Sequence, residues 1–219
     1  MPRLALTKRI SAEFSAPPIK IDRCPVPGDN ALLCSTPLIP NRVFVLCTGR
    51  CGSVTFAKAS AHINNFSAGH ETRCHLTGPA RFAYPERHIE ADNRLSWLLG
   101  RLDRIYGEEP LYVHLTRDAE EVARSYLKRS DRGIILAYRT EILMRAAKLN
   151  KEDSLLDFCR DYVQTVTDNI LHFLRDKPLK MSFSLDSAKD DFKVFWETIG
   201  AEGNLKAALT EWDTRHNKS

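Results

Sequence analysis

The apolar and polar positions of the chain fall into alternating strand-like and helix-like stretches. Arg42-Val43-Phe44-Val45-Leu46-Cys47 is a nearly unbroken apolar run, the pattern of a strand buried on both faces of a parallel sheet. A glycine-bearing turn follows, then Phe56, Ala59, Ser60 and Ile63 at helical spacing, with small Ala57 and Ala61 between them. Leu111-Tyr112-Val113-His114-Leu115 reads as a second buried strand. After it, Asp118 predicts a helix N-cap, and Glu121 completes an Asp-x-x-Glu capping box. Val122, Ala123, Tyr126 and Leu127 give that helix its apolar face. The Asp131-Arg132-Gly133 turn leads to a helix over Ile134 to Leu149. Leu155, Phe158, Tyr162, Val166 and Ile170 mark the core side of a long amphipathic helix from Ser154 to Arg175. Leu179 to Leu185 alternates and reads as a third strand. Helices around Phe192–Ile199 and Leu205–Trp212 close the chain, with Gly200 as a stop. Strands alternating with helices predict an α/β domain: a central parallel sheet with helices on both faces.

Two stretches break the pattern. Residues 1–40 carry Pro17, Pro18, Pro25, Pro27, Pro37 and Pro40 with little periodicity, and read as an arm preceding a single domain over 41–219. Residues 64–110 are irregular, apart from a helical stripe of Leu95, Leu98, Leu99, Leu102 and Ile105 within Asn93–Tyr106, capped by Asp92. Arg73, Arg81, Arg87, Arg94, Arg101 and Arg104 punctuate this segment, and read as a solvated face ahead of a site for an anionic acceptor.

The 219 residues suit one domain with a sizeable core. At 43% hydrophobic and 27% charged residues the chain is ordinary globular material. A net charge of +4 suits an anionic small ligand and is too diffuse to indicate nucleic acid. No apolar run approaches the roughly 20 residues of a membrane span, and residues 1–23 lack a signal peptide's apolar core. Cys24, Cys34, Cys47, Cys51, Cys74 and Cys159 form no C-x-x-C pair; they read as reduced thiols of a cytoplasmic protein. Cys47/Cys51 and His70/Cys74 are spaced four apart without a matching second half, so no metal site is expected.

The candidate chemistry lies where the first strand turns into the first helix. A glycine-bearing turn there is an anion site, because the first helical amides have no internal partners. Gly49 and Gly52 let backbone approach phosphate oxygens closely. Arg50 supplies a charge-assisted contact, and Ser53 and Thr55 add hydroxyls. Gly49, Arg50, Cys51, Gly52, Ser53, Val54 and Thr55 should together cradle a phosphate-like group. The loop departs from the G-x-x-x-x-G-K-[ST] pattern: no lysine follows Gly52, and Lys58 lies inside the helix. Transfer of a γ-phosphoryl group relies on Mg²⁺ and such a lysine. A sulfuryl group carries less negative charge and can move with protein donors and one cation.

Leu46 to Phe56 resembles the 5'-phosphosulfate loop of the sulfotransferase superfamily that uses 3'-phosphoadenosine-5'-phosphosulfate: a basic residue, a small residue, Gly, then Ser/Thr. Val54 here interrupts the family's adjacent hydroxyl residues. Tyr112 to Tyr126 resembles the family's 3'-phosphate segment, in which a strand ends in Arg and Ser follows eight positions on; Arg117 and Ser125 have that spacing, and Ala119 stands where the family often has Pro. The resemblance implies a small, bacterial-type member with a three-layer P-loop-type fold and no metal requirement. It implies that Arg50 stabilises the leaving phosphate, that Gly52, Ser53 and Thr55 hold the 5'-phosphate, and that Arg117 and Ser125 hold the 3'-phosphate. The acceptor would be a hydroxyl or amine on a small molecule, carbohydrate or lipid.

Deprotonating that acceptor needs a general base. In the family it follows the phosphosulfate loop, which favours Glu71, with His70 second. Glu90 and Asp92 form another acidic cluster. Two other readings stay open: an ATP-dependent small-molecule kinase, and a non-catalytic nucleotide-binding protein on the same scaffold.

Overall fold

The computed structural model describes residues 39–144 and 152–214. Of the Pro-rich arm, only Ile39 and Pro40 fall within them; Cys24, Cys34 and the end of the helix expected over 134–149 lie outside. Five strands form one parallel sheet: β1 (Arg42–Leu46), β2 (Ser67–His70), β3 (His88–Ala91), β4 (Leu111–Thr116) and β5 (Lys180–Ser184). Their spatial order is β2-β3-β1-β4-β5, so β1 is central and Val43 to Leu46 are wholly buried.

Successive strand residues face opposite sides, and each side carries an aromatic cluster. On one face Phe44 of β1 packs against Tyr84, Tyr106 and Tyr112. Tyr106 comes from α2 (Leu99–Tyr106) and Tyr112 from β4, which also meets Phe173 of α5 (Glu152–Leu174) edge-on. On the other face Phe56 of α1 (Ser53–Ser60) meets Phe183 of β5, Phe192 and Phe195 of α6 (Ala188–Thr198), and Trp212. Burying each such ring contributes about 2–3 kcal/mol. The fold is therefore three layers, helix–sheet–helix. The remaining helices are α3 (Ala119–Leu127), α4 (Gly133–Ala137) and α7 (Leu205–Thr210). No helix among the described residues is long and apolar enough to cross a membrane.

The irregular stretch 64–110 contains two strands that the hydrophobic pattern does not announce. β2 reads Ser-Ala-Gly-His and sits at the sheet edge. β3 reads His-Ile-Glu-Ala and is buried along its whole length. Its Glu90 is fully buried because Thr72 donates to it through both backbone N and Oγ1, each at 2.7 Å, and His88 Nε2 lies 2.9 Å away. Burial alone would raise this carboxyl's pKa; the hydrogen bonds prevail and hold it below the usual carboxylate range.

The single helix expected over 93–106 is two pieces, a 3₁₀ turn at Asn93–Trp97 and then α2. A tertiary bond decides this: Ser96 Oγ donates to the carbonyl of Cys47 at 3.1 Å, pinning the turn to the end of β1. The arginines of this region are not uniformly a solvated face either. Arg81 is 3% exposed and pairs with fully buried Asp92.

The connection after α3 begins as expected and then widens, α4 passing into a π-helical turn at Tyr138–Ile142.

Candidate functional site

The chain leaves β1 toward β2 and leaves β4 toward β5, in opposite directions along the sheet. Ligands of open α/β sheets bind where strand order reverses in this way, at the carboxyl ends of the strands. A cleft of about 970 Å³ opens there, lined by the Gly49–Thr55 loop, by His70 and Glu71 after β2, by Asn93 and Arg94 after β3, and by Arg117 and Ser125 after β4.

The loop is a backbone construction. Gly49, Arg50 and Gly52 have φ of 82°, 61° and 97°, with Cys51 between the last two outside the positive-φ region, and tight turns of this kind bring successive amides toward one concavity. Gly52 then starts α1 with no side-chain cap, so the first-turn amides face the cleft. A side chain at Gly52 would meet Leu185 Cδ1 at 2.8 Å. Two tyrosines clamp the loop's entrance: the hydroxyls of Tyr126 and Tyr162 both donate to the carbonyl of Thr48, at 2.6 and 2.9 Å. Burial holds both phenols well above the ordinary tyrosine pKa, so they remain donors.

The two arginine-bearing segments meet. Arg50 Nε donates to Ser125 Oγ at 3.1 Å, and Arg117 Nη1 donates to the carbonyl of Arg50 at 3.3 Å. Asp118 Oδ1 caps α3 by accepting from the amide of Glu121 at 2.8 Å. The Glu121 carboxylate, however, takes the Arg117 guanidinium, with Nε at 2.8 Å, in place of the reciprocal bond of a capping box. Burial and the neighbouring charges of Arg129 and Arg117 lower the pKa of Arg50. Such mutual repulsion among guanidinium groups is relieved by an anion bound between them.

The other expected residues are placed as follows. Ser53 Oγ lies 3.0 Å from His70 Nε2. Thr55 and Val54 line the cleft beside it. Cys51 is fully buried, and its thiol pairs with Cys47 rather than facing the cleft. The hydrogen bond between the two free thiols lowers the pKa of Cys51 and, with burial, raises that of Cys47, so Cys51 can serve a ligand through its backbone only. Glu71 occupies a left-handed conformation, φ 52°, and its carboxylate is ion-paired with Arg94. His70 and Glu71 thus diverge: the imidazole faces the loop hydroxyl, the carboxylate faces Arg94. Glu90 braces the turn that carries them, and Asp92 caps the 3₁₀ turn by accepting from Arg94 N at 2.8 Å.

Asn93 and Arg129 line the cleft without any signal in the sequence pattern, and Arg94 lines it although its group reads first as a solvated face. Asn93 and Arg94 lie on the short connection after β3, a strand that the hydrophobic pattern conceals. Arg129 sits four residues beyond Ser125, in the turn that follows α3.

No protein-family model matches the sequence, and no curated protein matches it. In three dimensions the chain resembles the solved structure of a sulfotransferase domain from the curacin biosynthetic pathway, with a TM-score of 0.56 at 11% identity, covering 78% of this chain and 76% of that one. At that identity the likeness speaks for architecture: this chain has a sulfotransferase-like α/β fold.

Proposed function

We propose that this protein is a sulfotransferase that moves a sulfuryl group from 3'-phosphoadenosine-5'-phosphosulfate to a hydroxyl or amine acceptor. The observation that carries the reading is the 3.1 Å contact between Arg50 and Ser125, with Arg117 bonded to the Arg50 carbonyl. It joins a loop suited to one phosphate-like group and a strand end suited to another into a single surface. A nucleotide with a 5'-phosphosulfate and a 3'-phosphate matches two anion sites so linked. The loop's lack of a lysine after Gly52 sets it apart from the phosphoryl-transfer pattern.

In this reading the loop amides with Ser53 and Thr55 hold the 5'-phosphate, and Arg117 with Ser125 holds the 3'-phosphate. Arg50 stabilises charge on the departing phosphate oxygen. The acceptor atom attacks sulfur in line. Its new bond to sulfur forms as the bond from sulfur to the 5'-phosphate oxygen breaks, and the electron pair leaves with the nucleotide. The acceptor's proton needs a base. We assign it to His70 ahead of Glu71, because the imidazole lies beside the loop, 3.0 Å from Ser53 Oγ, whereas the carboxylate is engaged by Arg94.

The test is transfer of labelled sulfuryl groups to a panel of hydroxyl and amine acceptors. His70→Gln is expected to lower the rate by roughly 10²- to 10⁴-fold, and Glu71→Gln by less than about tenfold. The reverse ranking returns the base to Glu71. No transfer to any acceptor, with the nucleotide still bound, makes the protein a non-catalytic binder.

A further inference from the structure

We infer that the side-chain amide of Asn93 is a catalytic group that donates a hydrogen bond to the sulfuryl group in transfer; this rests on the sulfotransferase reading above. Asn93 is 8% exposed, yet it lines the cleft. Its Oδ1 is buried and makes no hydrogen bond among the described residues. A buried amide atom without a partner costs about 1–3 kcal/mol, and no bond locks that end of the amide, so the group can turn to meet a ligand. Its nitrogen lies where Gly49 has no side chain: a Cβ there would sit 2.6 Å from Nδ2. The amide nitrogen therefore packs directly against the loop's first glycine, at the edge of the cleft that the Gly49–Thr55 loop lines.

The surroundings hold Asn93 in place from both sides. Before it, Asp92 is wholly buried, with Oδ2 2.5 Å from Arg81 Nη2 and Oδ1 accepting from the Arg94 amide. Arg81 in turn donates to the Tyr84 hydroxyl at 2.5 Å. Burial raises the Asp92 pKa even against the pull of Arg81, so this ion pair adds little to stability for what it costs to desolvate. Three residues after Asn93, Ser96 fastens the 3₁₀ turn to Cys47. Such a frame suits a group that must be pre-aimed. In β2–β3 register His70 pairs with Ala91, which places Asn93 and the proposed base at the ends of neighbouring strands, both facing the loop. A neutral amide donor suits a sulfuryl oxygen: it holds the group in line with the acceptor while negative charge develops on the departing phosphate oxygen. The proton still passes from acceptor to His70 and the electron pair to the departing nucleotide; Asn93 exchanges neither.

The test compares binding of 3'-phosphoadenosine-5'-phosphosulfate and its desulfated product, 3'-phosphoadenosine-5'-phosphate, together with release of sulfate to water as acceptor. Asn93→Ala should leave the product's Kd within about twofold, weaken the phosphosulfate about tenfold, and slow sulfate release by roughly 10²-fold. Asn93→Ser, which keeps a donor and disturbs packing least, should recover part of that loss. Equal weakening of both nucleotides, or an unchanged release rate, overturns the assignment. If the wild-type protein binds neither nucleotide, the sulfotransferase reading fails first and takes this inference with it.

Discussion

At the scale of single residues, the site depends on where side chains are absent as much as on where they are present. Gly49 has φ 82°, and a Cβ there would meet the Tyr126 hydroxyl at 2.3 Å and Asn93 Nδ2 at 2.6 Å. Gly49→Ala combines left-handed strain of about 1–2 kcal/mol with overpacking of about 1–3 kcal/mol. Its expected destabilisation is therefore about 2–5 kcal/mol by urea titration, with anion binding at the loop lost. Gly49→Ala with Tyr126→Phe removes the nearer obstacle and should recover part of that stability; strictly additive losses would contradict the packing account. The residues legible in sequence were those tied to local rules. Gly49, Gly52 and Ser53 stand at a strand-to-helix turn, and Arg117 and Ser125 at a strand end and the helix after it. Asn93 was not legible, because its place in the cleft comes from packing against Gly49 and from no neighbour in sequence. Nor could spacing tell His70 from Glu71; the divergence of their side chains is set by the turn that Thr72 and Glu90 hold.

At the scale of elements, strands with continuous apolar runs announced themselves and strands carrying polar networks did not. β1 and β4 are apolar throughout their buried length apart from single polar positions, and β5 alternates. β3 hides His88 and Glu90 inside the sheet by pairing them with each other and with Thr72, which no hydrophobic count registers. The broken helix at 93–106 failed expectation for a related reason: a tertiary hydrogen bond from Ser96 overrode helical spacing. β4 carries its own cost. His114 is 7% exposed within it, and burial lowers its pKa to about 4. The unfolded chain, with an ordinary pKa near 6.5, binds the proton first as pH falls. Stability contributed by neutral His114 is thus full above about pH 6.5 and declines as pH drops toward about 4. About 2 kcal/mol should disappear between about pH 7 and about pH 5. His114→Leu should flatten that part of the stability–pH curve; an unchanged slope would place the titration elsewhere.

At the scale of the whole molecule, the alternation of strands and helices sufficed for the fold class, a parallel sheet covered on both faces. Strand order was not in the pattern, and strand order creates the site. With β1 flanked by β3 and β4, the loop after β1 lies between residues of two different chain segments. The β4 side brings Arg117 and Ser125; the β3 side brings Asn93 and Arg94. The first group suits a nucleotide's phosphates and the second the group being transferred. Sulfuryl transfer from this nucleotide depends on recognition of the 3'-phosphate, since a loop alone would serve any anion. The deciding measurement is calorimetric titration with 3'-phosphoadenosine-5'-phosphate and, in parallel, with adenosine 5'-phosphate, which lacks the 3' group. The protein should bind the first at least about tenfold more tightly, as expected for charge-assisted contacts worth about 1.5–3 kcal/mol, and Arg117→Ala should erase the difference. Equal affinity for the two nucleotides, or a preference that survives Arg117→Ala, would contradict it.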